Sequence, residues 1–323
     1  MGCSCTSNQE PKKKEVPIEM IQEPMTNAIR YAAYKIPSQE ENYILTFDFQ
    51  TRESQITKVV INPEISDYTV FMSHPLLFIA GGIEKGSGEL SKKIWMTSAC
   101  EGTISMSGSK NMNEPCRLPF LVSNVDGGIV YVVGGQGKQP GEYLTKCEKT
   151  RVGDDIVTPL KPMNRGHDFI VGIGKYIYAL SSLQGKEMFE RFDMEKEMAG
   201  WSMKALSIPE SYSKYTVGLS KYGVIPADTK MEKLLIFGGI MRDKKSSAAV
   251  FLLDGETGEV TKDKNSIPEA EDFFTPAIAG KENCYILTRS FKLLVCQRMT
   301  LTWTPVTTSI FTMIRQKELH LNP

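Results

Sequence analysis

The chain lacks most of what would commit a protein to a chemical task. Its 323 residues carry 38 basic and 38 acidic side chains, so the formal net charge is zero. A nucleic-acid binder needs a basic footprint to displace counterions from phosphate, and none is present. No apolar run approaches the ~18 residues of a spanning helix; the longest is about Gly127–Gly135. The start is rich in Cys, Ser, Asn and Lys and has no apolar core of a secretion signal. Seven cysteines without a CxxC pair, and no Asn-x-Ser/Thr acceptor, fit a reducing, cytosol-facing compartment. Only three histidines occur, His74, His167 and His320, far apart and without an HExxH or Cys/His cluster. No metal or other cofactor is therefore expected, and His74 and His167 read as loop histidines with local hydrogen bonds. There is no G-x-S-x-G elbow, and the Gly-rich runs Gly134–Lys138 and Gly172–Lys175 lack the spacing and hydroxyl of a phosphate loop.

What is abundant is one repeated phrase, a run of buried-strand residues closed by a pair of small residues. It occurs as Leu77–Gly82, Tyr131–Gly135 and Leu234–Gly239, with weaker echoes at Ile177–Ser182 and Tyr285–Ser290. The closing pairs begin at 81, 134, 181, 238 and 289, so the steps are 53, 47, 57 and 51 residues. A period near 50 marks a radial or solenoid repeat. Around each pair lie an apolar strand, the phrase itself, a polar loop, a third strand and a fourth that commonly stops at Pro.

The expected architecture is all-β: a six-bladed propeller over residues 27–318 with four antiparallel strands per blade. The blades span about 27–62, 67–112, 118–162, 167–209, 214–268 and 272–308. In the second unit the fourth strand is expected at Thr103–Ser107, and in the third unit the third strand at Tyr143–Lys149. The first unit offers three strands and no obvious opening one, while Ser309–Arg315 is left over at the other end. That last strand is expected to pair into the first unit and close the ring. Cys284 and Cys296 face each other across the last blade's inner hairpin in this register, as buried thiols.

The chain resembles the kelch-repeat family of β-propellers. The resemblance rests on the pairs Gly81-Gly82, Gly134-Gly135 and Gly238-Gly239 after buried strands, and on strands ending in Asp at Phe47-Asp48, Phe192-Asp193 and Leu253-Asp254. It rests also on outer-strand tryptophans at Trp201 and Trp303, while Ser181-Ser182 and Arg289-Ser290 depart from the pattern. The resemblance implies that the repeat glycines are structural. It also implies a non-enzymatic adaptor that binds other proteins through the loops of one face.

Function is most legible in the first six residues, Met1-Gly2-Cys3-Ser4-Cys5-Thr6. They fit the pattern in which Met1 is removed and Gly2 is myristoylated. One myristoyl chain holds a bilayer weakly, with an association constant of roughly 10⁴ M⁻¹, so a second signal is needed. Lys12–Lys14 is neutralised by Glu10, Glu15, Glu19 and Glu23, which leaves S-acylation of Cys3, with Cys5 as a further site. Residues 1–26 then form an acylated polar tether at the cytoplasmic face of a membrane, ciliary or cortical. The expected partners are that membrane surface and an unidentified protein. The competing expectations are a structural cytoskeletal or ciliary subunit, and a small-molecule enzyme using the propeller's central funnel.

Overall fold

A computed structural model describes residues 31–36, 42–48, 54–73, 75–98, 103–106, 109–124, 127–139, 141–181, 188–207, 217–227, 232–240, 246–269, 278–279, 283–288, 292–297 and 300–306. These residues form six four-stranded sheets arranged as a β-propeller. The only helical piece among them is a single 3-10 turn, Glu197–Ala199. The innermost strands follow one another as Tyr31–Ile36, Thr69–Ser73, Phe120–Ser123, Phe169–Ile173, Val217–Pro226 and Ile278–Ala279, each packed beside the next.

The repeated phrase is the second strand of blades 2 to 6, and its continuous hydrophobicity has a direct cause. Blades 2 to 5 are each covered on both faces by their neighbours, so side chains pointing either way are buried. In Leu76–Ala80, Leu77 and Ile79 enter the core shared with blade 1, while Phe78 and Ala80 enter the core shared with blade 3. In Ile129–Val133, Val130 and Val132 face blade 2, and Tyr131 and Val133 face blade 4. Leu234 and Ile236 face blade 4, and Leu235 and Phe237 face blade 6. The period of 2 is therefore present, but hidden because both faces are apolar. The two outer-strand tryptophans join these cores: the Trp201 ring lies 5.2 Å from Phe192, and Trp303 lies 4.5 Å from Phe237 of the preceding blade.

Glycine closes the phrase because the chain must leave the sheet through backbone angles that a side chain resists. Gly81 and Gly82 have φ of 66° and 113°, and Gly134 and Gly135 of 59° and 101°. The first of each pair still donates to the third strand, Gly81 to Lys93 O at 3.0 Å and Gly134 to Lys146 O at 2.8 Å. The second turns away, and Gly82 N–H reaches Cys116 O at 2.9 Å in the linker entering blade 3. A Cβ on Gly81 would stand 2.5 Å from that same carbonyl oxygen. The terminal aspartates also have a local reason. Asp254 Oδ1 accepts from the backbone N–H of Glu256 and Thr257 at 2.9 and 2.8 Å, and Asp193 Oδ1 from Glu195 at 3.0 Å. They cap the turns into the outer strands.

Blade 4 matches its expected strands closely, whereas blades 1, 2 and 3 correct them. Thr103–Met106 does not complete the second sheet; it lies parallel to Ser54–Ile61 as the outer strand of the first. The second sheet takes Ser109–Asn111 as its fourth strand. The alternation of Thr103–Met106 was read correctly as a strand, but its partner was not: Ile104 and Met106 pack with Val59, Ile61, Ile65 and Trp95. The position that blade 1 cannot fill from its own segment is thus the outer one, since Tyr31–Ile36 is already its innermost strand. Ser309–Arg315 lies outside the described residues. In blade 3 the third strand is Cys147–Arg151, and Tyr143 makes only an isolated bridge to Gln136. Cys284 and Cys296 are direct cross-strand partners and both are buried.

Replacing Gly81 with Ala is expected to cost about 2–4 kcal/mol, combining the left-handed φ with the clash at Cys116 O. Gly86→Ala, with nothing within 4 Å of a new Cβ, is expected to stay within about 0.5 kcal/mol. Chemical unfolding of the two variants measures the difference.

Candidate functional site

Gly2, Cys3 and Cys5 lie outside the described residues, as do His74 and His320. The repeat glycines Gly81, Gly82, Gly134, Gly135, Gly238 and Gly239 sit at the ends of second strands, and Gly238 has a φ of 78°. From these ends the strand-two-to-three loops run beside the blade-to-blade linkers on one face. The two loop sets are bound together. Lys85 N–H donates to Glu64 O at 2.9 Å, and Arg117 and Gln136 exchange backbone bonds of 3.0 and 2.7 Å, while Lys138 of one strand-two-to-three loop pairs with Glu89 of another at 2.7 Å. Leu118, held at a φ of 47°, and Tyr143 are large apolar side chains left exposed on this face. Tyr143 packs its backbone against Gly166 in the next linker.

Beneath these loops are two buried glutamates that no sequence signal had singled out. Along each third strand, one residue pairs with the position two before the closing pair. It is Trp95 in blade 2 and Phe251 in blade 5, but Glu148 in blade 3 and Glu190 in blade 4. Each carboxylate takes donors from the linker preceding its blade. Glu148 accepts from the backbone and side-chain amides of Asn113 at 2.9 and 3.1 Å, and from Glu114 N–H at 3.3 Å. Glu190 accepts from the same two groups of Asn164, both at 2.8 Å, and from Arg165 N–H at 3.0 Å. The shared Met-Asn at 112–113 and 163–164 was the available clue. A buried charge is tolerated only when so surrounded.

The two cradles differ in what completes them. In blade 3 the counter-group is Lys146, 3.7 Å from Glu148 Oε1, which also donates to Glu114 O at 2.7 Å. In blade 4 it is His167, fully buried, with Nε2 3.0 Å from Glu190 Oε1. Its other nitrogen, Nδ1, lies 3.0 Å from the hydroxyl of Ser181, which stands where blades 2, 3 and 5 have the first glycine of the pair. His167 is thus a buried link between two polar groups. Among the described residues no group of His, Cys, Asp and Glu has the arrangement of a metal site.

Two further polar clusters tie blades edge to edge. Tyr131 donates its hydroxyl to Glu197 Oε1 at 2.6 Å, and Lys149 binds the other oxygen. One blade on, Arg191 pairs with Glu256 at 2.6 Å while its guanidinium stacks 4.4 Å from the Tyr176 ring centroid. Lys204 reaches the same Glu256 at 2.9 Å. These two cations hold the Glu256 carboxyl below its ordinary range. Burial raises the Cys147 thiol to about 12 and the Cys116 thiol as well, so neither is a thiolate at neutral pH.

The chain matches no protein-family model, and no curated protein matches it. The cradles are therefore read from their own geometry. For Glu190, burial favours the neutral acid, but the bonds from His167, Asn164 and Arg165 outweigh it and hold the carboxyl below the usual value. A group lowered in this way binds its proton first in the unfolded chain. Its contribution is complete above the ordinary carboxylate value, about 4.3, and is lost as pH falls through the folded value. Glu190→Gln is expected to cost about 1–3 kcal/mol at pH 7 and to flatten the fall of stability in acid, as unfolding curves from pH 7 down to 3 will show.

Proposed function

We propose that this protein is a kelch-type propeller acting as an interaction scaffold, with myristate on Gly2 and S-acylation at Cys3, and at Cys5 as a further site. The acyl chains hold it at the cytoplasmic face of a membrane, and a partner protein docks on the loop-bearing face. The observation that carries the docking claim is the pair Leu118 and Tyr143, exposed apolar side chains on loops fixed by backbone bonds. Rigid aromatic anchors surrounded by polar loops are the usual centre of a protein interface. The rim offers both charge signs, at Arg117, Glu89 and Lys138. For the family assignment, the support is the triple recurrence of a glycine pair after a buried second strand. For the anchor, it is the order of Gly2, Cys3 and Thr6, in which a myristoylated Gly2 keeps the neighbouring thiol at the membrane where S-acylation occurs.

Metabolic labelling with alkyne-tagged myristate and palmitate is expected to mark the wild type with both. Gly2→Ala should lose both labels and leave the membrane fraction; uptake of neither label by the wild type removes the anchor. Proximity labelling then compares wild type with Tyr143→Ala and Leu118→Ala. The expected result is loss of a defined set of neighbours, by about tenfold or more for a central anchor, with unchanged thermal stability. An unchanged set of neighbours removes the docking claim and leaves the anchor standing.

A further inference from the structure

The cradle in blade 4 contains more than a fold requires. Blade 3 shows the minimum: a buried glutamate, two linker amides, an Asn side chain and a cation. The lysine there has donors only and cannot take a proton from anything while charged. Blade 4 puts a histidine in that role and a hydroxyl beyond it. Because Glu190 is an ionised acceptor of linker amides, the hydrogen between it and His167 belongs to Nε2. In the neutral imidazole Nδ1 is then a lone pair, and it faces Ser181 Oγ at 3.0 Å. A buried carboxylate thus fixes the tautomer of a buried imidazole, which accepts from a serine that is itself only half-buried. That is the order of roles by which a serine hydroxyl is activated, here with the two ring nitrogens exchanged.

We propose that Ser181, His167 and Glu190 form a nucleophilic site on the loop-bearing face that hydrolyses small carboxylic esters. Ser181 Oγ attacks the ester carbonyl carbon while its proton passes to His167 Nδ1. Collapse of the tetrahedral adduct breaks the bond to the leaving alkoxide, which takes that proton and departs as the alcohol. Water then attacks the acyl-serine, again giving a proton to Nδ1. The carboxylic acid leaves, and Ser181 recovers its hydrogen. One ester and one water give one acid and one alcohol, with no redox partner. Ser181 and His167 are the catalytic residues; Glu190 is a positioning residue.

Serine 181 offers an unusually clean control. Glycine stands at the corresponding position of blades 2, 3 and 5, so Ser181→Gly is expected to fold normally. The full-length protein is treated with a fluorophosphonate probe and mapped by peptide mass spectrometry, and hydrolysis of p-nitrophenyl acetate is followed in parallel. The expected result is one phosphonyl adduct, on Ser181, absent in Ser181→Gly at unchanged melting temperature. His167→Gln should slow labelling by about 100-fold, the usual contribution of a general base. Glu190→Gln should also slow labelling, because the imidazolium formed as Ser181 gives up its proton loses its carboxylate partner, and Glu190→Asp should restore part of that rate. A purely structural role for Glu190 would leave the labelling rate of the folded Glu190→Gln protein unchanged. Folded wild type that takes no label on Ser181, or ester hydrolysis that survives Ser181→Gly undiminished, overturns the proposal.

Discussion

The structure depends on the second strands of blades 2 to 5 being buried on both of their faces. A strand in that position must be apolar at every residue, and it cannot continue past its blade without burying unpaired backbone. The closing glycine pair resolves the conflict. Its first residue completes the ladder, and its second turns out of the sheet to bond the linker of the next blade, as Gly81 and Gly82 do with Lys93 and Cys116. The same two residues therefore end one blade and seat the next. That double duty explains why a side chain is excluded: Cys116 O lies 2.5 Å from where the Cβ of residue 81 would be.

Apolar contact alone leaves neighbouring blades free to slide, and the polar clusters restrict this. From blade 3 to 4, and from 4 to 5, a tyrosine or a basic residue of one blade grips a glutamate in the outer turn of the next. The equivalent partners in blade 2, Phe78 and Met96, are apolar. Blade 2 is instead bound to blade 1 by exchange of the Thr103–Met106 strand. Each such pairing gives one chain segment to two blades, so the sheets cannot shift independently. The loop-bearing face inherits this rigidity, which is what allows exposed Leu118 and Tyr143 to hold fixed positions.

The blade count, the second strands and most of blade 4 were legible from sequence because they are encoded locally. A run such as Ile-Val-Tyr-Val-Val followed by Gly-Gly admits few other structures. The strand exchange was not legible: alternation reveals that Thr103–Met106 is a strand, but a four-residue strand carries no mark of its partner. The buried glutamates were missed for a related reason. A single Glu in Met188–Asp193 looks like the solvated face of an outer strand, and its burial is set by Asn164 and Arg165, some 25 residues earlier. Only Met-Asn recurring in two linkers hinted at it. His167 was read as a loop residue bonded locally; it is bonded on both nitrogens, but to partners 14 and 23 residues away.

The most informative departure from the repeat is at position 181. Serine stands there in place of the glycine of the phrase, without the left-handed φ that Gly81, Gly134 and Gly238 adopt. The hydroxyl gained is turned to His167, and His167 is turned to Glu190. A replacement that only tolerated the fold would have no reason to meet a buried, tautomer-fixed imidazole. Structural economy would also favour the blade 3 solution, in which a lysine neutralises the same carboxylate without creating a proton acceptor. Blade 4 keeps the cradle, takes its counter-group from the linker as His167 rather than from the start of the third strand as Lys146, and adds the Ser181 hydroxyl. Local rules broken without loss of the fold tend to mark function, and here the break falls on three side chains whose roles are chemically ordered.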